Sequence, residues 1–163
     1  MADLTRLYAA IWAAGQPHGI VDFGGQAVNS LRMEKGYRGY GSELTNENTL
    51  IEADCTRFYA DDKGDFRGRA ATEAAGVTTT LVYGTVAATD CDIYGGEAVM
   101  QGDSVVGACT SGAYGHAVDK SLAFAFVRPG AVTDLEVVIL GQRHALTLLD
   151  APAWDPENAR QKA

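Results

Sequence analysis

Ala98-Val-Met-Gln-Gly-Asp-Ser-Val-Val-Gly-Ala-Cys-Thr-Ser-Gly-Ala-Tyr-Gly-His-Ala-Val-Asp-Lys-Ser-Leu-Ala-Phe-Ala-Phe-Val127 carries apolar runs too short for helices, punctuated by glycine and aspartate. The runs Ala98–Gln101, Val105–Thr110 and Leu122–Val127 are expected strands, with Gln101-Gly-Asp103 as a hairpin turn and Arg128-Pro129-Gly130 ending the third. The pattern extends both ways: Thr78–Ala87 before it, Leu135–Leu140 and His144–Asp150 after it, with a further hairpin turn expected at Gly95-Gly96. Short strands at this density predict a small antiparallel barrel or sandwich, because closure hides sheet edges. A proline-bracketed tail, Pro152 to Pro156, is expected over its outside.

Upstream of Val77 the period changes to that of helices. Asp3 is an expected N-cap for a helix whose stripe Leu4, Leu7, Tyr8, Ile11 and Trp12 reads as core packing, stopped by Gly15 and Pro17. A second helix is expected over Gly24–Glu34, with Asp22 near its start, Ala27, Val28 and Leu31 on its apolar face, and Gly36 as its left-handed C-terminal residue. Gly36-Tyr-Arg-Gly-Tyr-Gly41 reads as a loop whose backbone approaches something closely, and Glu43–Glu52 as a polar turn region. Thr56–Ala60 is expected as a short strand and Asp61–Gly64 as a turn, with Asp65 capping a third helix that runs through Ala75 to Gly76. The fold class is therefore α+β, divided into residues 1–76 and 77–163.

Composition narrows the function classes. The 163 residues carry 13 Lys plus Arg against 21 Asp plus Glu, a net charge of -8 that argues against a nucleic-acid partner. No run approaches the roughly 20 apolar residues that span a bilayer, and the N-terminus does not read as a signal peptide, so a cytoplasmic protein without a membrane partner is expected. Cys55, Cys91 and Cys109 form no C-x-x-C pair, and His18, His116 and His144 lack helical-face spacing, so a metal is not expected. Nucleophile-elbow, Walker and H-E-x-x-H motifs are absent.

The chemistry-bearing feature is a cationic cluster. Arg32, Lys35 and Arg38 fall within seven residues, a local positive patch for an anionic ligand on an acidic chain. Guanidinium forks hold carboxylates bidentately, and Tyr37 or Tyr40 lies close enough in sequence to flank a ring. Asn29-Ser-Leu-Arg-Met-Glu-Lys-Gly-Tyr-Arg38, Gly41-Ser-Glu-Leu-Thr45, Asp62-Lys, Asp65-Phe-Arg-Gly-Arg69, Pro17-His-Gly19, Val106-Gly-Ala-Cys-Thr-Ser-Gly112, Tyr114-Gly-His116, Lys120-Ser-Leu-Ala123 and Trp154-Asp-Pro-Glu-Asn158 complete the set. In this order they resemble the folate-binding aminomethyltransferase family, which includes the glycine-cleavage T-protein. The likeness is nearer to the C-terminal folate half of dimethylglycine and sarcosine dehydrogenases.

That resemblance implies a folate-binding α/β lobe, truncated here, followed by a β-barrel of aminomethyltransferase type. It implies one-carbon transfer to tetrahydrofolate from a methylated amine or aminomethyl donor. The L-R-L-E-x-G motif falls on Leu31, Arg32, Met33, Glu34 and Gly36. Arg32, Glu34, Lys35, Arg38 and Tyr40 become the candidate cofactor-binding residues, with Arg32 foremost. His116 and Arg69 are assigned to packing and structure. The sequence departs from the family pattern where Thr49-Leu-Ile-Glu-Ala-Asp-Cys55 stands for T-P-x-E-A-G-L, and where Asp119 replaces a frequent glycine. The family's upstream half, with the acidic residue credited with assisting transfer, has no counterpart in this sequence. Completion by another chain or a second copy is expected; the alternative is a non-catalytic folate-binding or assembly module.

Overall fold

The computed structural model describes residues 2–162. Helices α1 (Ala2–Gly15), α2 (Gly25–Glu34) and α3 (Arg69–Ala75) precede six strands: β1 (Thr80–Val86), β2 (Ala98–Gln101), β3 (Ser104–Gly115), β4 (Lys120–Val127), β5 (Leu135–Ile139) and β6 (Gln142–Leu148). The strands close an antiparallel barrel in the order β1-β4-β3-β2-β5-β6. This is the expected α+β class with the barrel alternative realised.

Alternation along β1 and β4 builds two cores. Val82, Val86, Ala123, Ala125 and Val127 point into the barrel with Val99, Val137 and Leu146. Their neighbours Leu81, Tyr83, Leu122 and Phe124 point outward and bury Met33 of α2, which is 0% exposed. β4 is thus covered on both faces, which explains its unbroken apolar run. The Tyr83 and Phe124 rings meet at 4.8 Å, and the Tyr83 hydroxyl donates to the Met33 carbonyl at 2.7 Å, so helix and barrel share one interior.

The face α2 turns to the barrel is not the one expected. Ala27, Val28 and Leu31 are exposed, whereas Ser30, Met33 and Glu34 are buried. The cause is a sheet edge. β2 pairs with β3 only as far as Ala108, leaving the carbonyls of Gly112 and Tyr114 without a strand partner on that side. Asn29 Nδ2 donates to the Gly112 carbonyl at 3.0 Å and Ser30 Oγ to that of Tyr114 at 2.6 Å, so polar helix residues are drawn inward to satisfy them. At the other end Gly36 takes φ 62°, and the bonds Gly36 N–H to Met33 O and Tyr37 N–H to Arg32 O stop the helix as expected.

Other local expectations are corrected. Asp3 lies inside the first turn of α1, not at its cap. The stripe Leu4, Leu7, Tyr8 and Ile11 is exposed rather than core, because α1 packs on the short turn Gln16–His18 and not on the barrel. Thr56–Phe58 is a 3₁₀ turn, not a strand. Asp65 does not cap α3, which begins after Gly68 in a left-handed conformation (φ 94°). Gly95-Gly96 lies in the connection from β1 to β2, strands that do not pair, so it is no hairpin turn. The tail does lie over the outside of the barrel, with Ala153 packed on the outward cluster of Leu81, Tyr83, Leu122 and Phe124, and it also covers the end of α2, where the Trp154 N–H donates to the Glu34 carbonyl at 3.0 Å.

The β5–β6 hairpin turns at Leu140-Gly141, with φ 49° at Leu140, which is 92% exposed. A left-handed conformation costs a non-glycine residue roughly 1–2 kcal/mol, and Asn-Gly suits this turn. Leu140→Asn is therefore expected to raise stability by about 0.5–1 kcal/mol, seen as a higher urea midpoint at an unchanged slope; a lower midpoint would contradict the assignment.

Candidate functional site

The loop after α2 is organised by a carboxylate. Glu43, 0% exposed, accepts four hydrogen bonds: from Arg32 Nη1 at 2.8 Å and the Gly39 N–H at 2.7 Å on Oε2, and from Thr110 Oγ1 at 2.6 Å and Ser111 Oγ on Oε1. A β-bulge makes this possible. The β3–β4 register shifts between Cys109 and Ser111, and the extra residue turns two consecutive hydroxyls toward the same acceptor. Burial pushes the Glu43 pKa up, but the bonds from Ser111, Thr110 and Gly39 and the charge of Arg32 outweigh it and hold the carboxyl below its ordinary value. Gly39 is the close approach anticipated for this loop: a Cβ there would lie 3.4 Å from Glu43 Oε2 and 3.5 Å from Arg32 Nη1.

Two clefts flank α2. One, of about 610 Å³, is lined by Lys35, Tyr37, Arg38, Arg57, Phe58 and Pro152 among others. The other, of about 550 Å³, is lined by Asn29, Arg32, Ser42, Tyr94, Ser111 and His116 among others. The expected cationic cluster is thereby divided. Arg32 faces the second cleft, with Nε bonded to Asn29 Oδ1 at 2.9 Å and Nη1 to Glu43 and the Tyr37 carbonyl, which leaves Nη2 unengaged among the described residues.

Lys35 and Arg38 face the first cleft. The Lys35 Nζ bonds the Asp155 carbonyl at 2.6 Å and its carboxylate at 3.4 Å, beside the Trp154 ring; Arg38 pairs with Asp54 and donates to the Gly36 carbonyl at 2.9 Å. Glu34 lines neither cleft. It is buried, and its Oε1 accepts the Ala117 N–H at 2.6 Å. Tyr40 is 83% exposed and also lines neither.

At both departures from the expected motif the backbone takes the left-handed conformation. Asp54 and Asp119, standing where glycine is usual, have φ 52° and 51°. Aspartate tolerates that conformation better than most residues. Asp54 also supplies the carboxylate for Arg38. Arg69 serves structure, donating to Glu73 at 2.9 Å and to the Gly64 carbonyl at 2.8 Å.

Sequence reasoning missed Glu43, Glu52 and Arg57. Glu52 had a legible signal, the S/T-x-x-E spacing from Thr49: each residue's side chain accepts the other's backbone N–H, Thr49 at 3.0 Å and Glu52 at 3.2 Å. Its other oxygen takes the N–H and hydroxyl of Thr78 and the N–H of Thr79, tying the 49–55 turn to the entrance of β1. Glu43 had no local signal, since its partners Thr110 and Ser111 lie 67 and 68 residues away.

The fold and site define a class: a barrel carrying a helix whose basic, carboxylate-braced C-terminal segment borders two ligand-sized clefts. Two family models match, the GCVT N-terminal domain over residues 1–63 and the glycine cleavage T-protein C-terminal barrel domain over residues 80–155. The chain belongs to the glycine cleavage T-protein family. It is 38% identical to mouse dimethylglycine dehydrogenase over 98% of this chain and 19% of that protein. It is 32% identical to the aminomethyltransferase of Corynebacterium aurimucosum over 94% of this chain and 43% of that protein. The solved aminomethyltransferase T of the Bartonella henselae glycine cleavage system superposes on 80% of this chain and 38% of its own length, with a TM-score of 0.71 and 24% identity, a likeness of fold. The chain thus spans less than half the length of these relatives. Among the described residues no helix is long and apolar enough to cross a membrane.

Four hydrogen bonds hold the Glu52 pKa down to about 2 against the effect of burial, first from the Thr49 N–H, then from the hydroxyl and N–H of Thr78, and last from the Thr79 N–H. A depressed carboxylate stabilises the fold above its unfolded pKa near 4.5, and that contribution fades as pH falls toward 2. Glu52→Gln is expected to cost about 1.5–3 kcal/mol at neutral pH, with the gap from wild type narrowing steadily below pH ~4.5 in urea titrations. A gap independent of pH would show that the carboxylate's charge is not what holds the turn.

Proposed function

We propose that this chain binds tetrahydrofolate through the segment Arg32–Tyr40 and serves folate-dependent one-carbon transfer from a methylated amine or aminomethyl donor. The observation that carries this reading is the position of Leu31–Gly36, which matches the family's L-R-L-E-x-G motif except for Met33, at the junction of α2 and barrel, with the cations Arg32, Lys35 and Arg38 on the walls of two clefts. Bound tetrahydrofolate would supply the amine nitrogen that captures the one-carbon unit. Arg32, held by Asn29 and Glu43, presents Nη2 to an acidic tail. Lys35 and Arg38 add positive potential, Glu34 fixes the β3–β4 turn beside the helix end, and Tyr40 offers an exposed ring. A cytoplasmic setting belongs to the same reading and suits the free thiols of Cys55, Cys91 and Cys109.

The chain's part is binding and positioning. Glu43 and Glu52, with lowered pKa values, are anions at neutral pH and cannot donate protons there. This favours a second reading, a folate-binding module whose chemistry is completed by further polypeptide, in the same molecule or a partner. The exposed apolar residues Leu4, Leu7, Ile11, Val28 and Leu31 support it, because a 14-residue helix without a packed face is marginal in water. In the monomeric chain, α1 amides are expected to exchange hydrogen far faster than those of β3 and β4. Equal protection would argue against a missing cover.

Calorimetric titration with tetrahydrofolate tests the binding reading. Saturable binding is expected, weakened by about 1.5–3 kcal/mol in Arg32→Ala. Because that variant strands Glu43, the double variant Arg32→Ala/Glu43→Gln separates folding from affinity: it should recover stability but not binding. Absence of saturable binding by the wild-type chain would reject the reading.

A further inference from the structure

The connection from β1 to β2 carries a thiol that a histidine of β6 faces. Cys91 Sγ lies 3.9 Å from His144 Nε2, and the other ring nitrogen, Nδ1, lies 3.2 Å from the Ala87 carbonyl. A carbonyl oxygen can only accept, so in the neutral ring Nδ1 holds the proton and Nε2 turns its lone pair to the thiol. The two residues are 53 apart in the chain. They meet because β6 pairs with β1 and that pairing is continued by the Ala87 N–H to the Ala145 carbonyl at 2.9 Å, just where the connection leaves the barrel. Both are half-buried, Cys91 packing on the barrel core, and neither lines either cleft. Cys55 and Cys109 are buried, and burial pushes the Cys109 thiol up to about 12. Burial first, then the carboxylates of Asp90 and Asp92, push the Cys91 thiol up as well, so it is protonated at neutral pH and its reaction needs a base.

We propose that Cys91 is a modification site, a nucleophilic thiol served by His144 as its base, and that it takes small disulfides bearing an amine. In the exchange Nε2 accepts the thiol proton and Sγ attacks one sulfur of the disulfide. The bond between Sγ and that sulfur forms as the disulfide's own S–S bond breaks, and the departing thiolate takes the proton back from the imidazolium. Cys91 is oxidised to a mixed disulfide and half of the reagent is reduced to a thiol, so no further oxidant enters. The preference for an amine follows from Asp90 and Asp92, exposed carboxylates on either side of the thiol in the chain, which attract a cationic reagent and repel an anionic one. The site is independent of the folate reading, since it uses no residue assigned to the cofactor.

Rates of mixed-disulfide formation by the full chain test the assignment, with cystamine as a dication, bis(hydroxyethyl) disulfide as a neutral reagent and dithiodiglycolate as a dianion. Each rate is divided by that of N-acetylcysteinamide with the same reagent, which removes the reagents' own differences in reactivity, and mass spectrometry of proteolytic peptides locates the adduct. The adduct should fall on Cys91, with Cys55 and Cys109 unlabelled in the folded chain. Cystamine should exceed the dianion by about threefold or more, and the double variant Asp90→Asn/Asp92→Asn should level the two. His144→Gln should slow all three reagents by about tenfold or more, because glutamine can still donate to the Ala87 carbonyl but offers no basic nitrogen. Added imidazole should restore part of the rate in His144→Ala, a rescue that a merely structural histidine would not show. Wild-type rates in His144→Gln, an order of reagents that ignores their charge, or labelling of Cys55 or Cys109 ahead of Cys91 would each overturn the proposal.

Discussion

A buried carboxylate with four donors is the constraint on which this architecture turns. Glu43 draws Arg32 from α2, the Gly39 amide from the following loop, and Thr110 and Ser111 from the barrel onto two oxygens. A carboxylate at 0% exposure is costly unless every partner is present, so the helix end, loop and bulged strand are fixed together or not at all. The arrangement also sets what chemistry is open to the site. Arg32 is spent largely on holding the fold, and only the remaining edge is open to the proposed ligand.

The second organising feature is the unfinished edge of β3. Because β2 is shorter than β3, the barrel presents unpaired carbonyls where a sheet would normally continue, and α2 answers with Asn29 and Ser30 instead of a strand. That choice turns Val28 and Leu31 outward. An apolar helical face pointing at solvent is then not a packing error but the consequence of a stronger demand on the opposite side. It leaves α2, like α1, with a surface suited to further polypeptide, consistent with relatives that are longer than this chain.

The barrel was legible in the sequence because its strands are short and bounded by turns whose residues have little conformational choice. Five of the six strands were expected within a few residues of where they lie, and β3 proved longer, running on through Gly112 and Tyr114. The helical half was less so. Periodicity located α1 and α2 but not the faces they bury, since an amphipathic stripe tells which side is apolar and not what stands opposite it. Asp54 and Asp119 show the same limit from another direction. They stand where glycine was expected, and each takes the left-handed conformation, which aspartate tolerates better than most residues.

By itself, the sequence determined the class of fold, the family likeness and the basic segment after α2, all of which depend on residues close together in the chain or on ordered motifs. Only the tertiary structure decided that Arg32 would be separated from Lys35 and Arg38 into different clefts, that Glu43 would tie Arg32 to the barrel, and that Arg57 would stand unpaired beside Phe58. The physical reason is that charge compensation is a matter of distance in space. Partners such as Asp155 for Lys35, 120 residues away, and Ser111 for Glu43 are chosen by packing and carry no signature in local spacing.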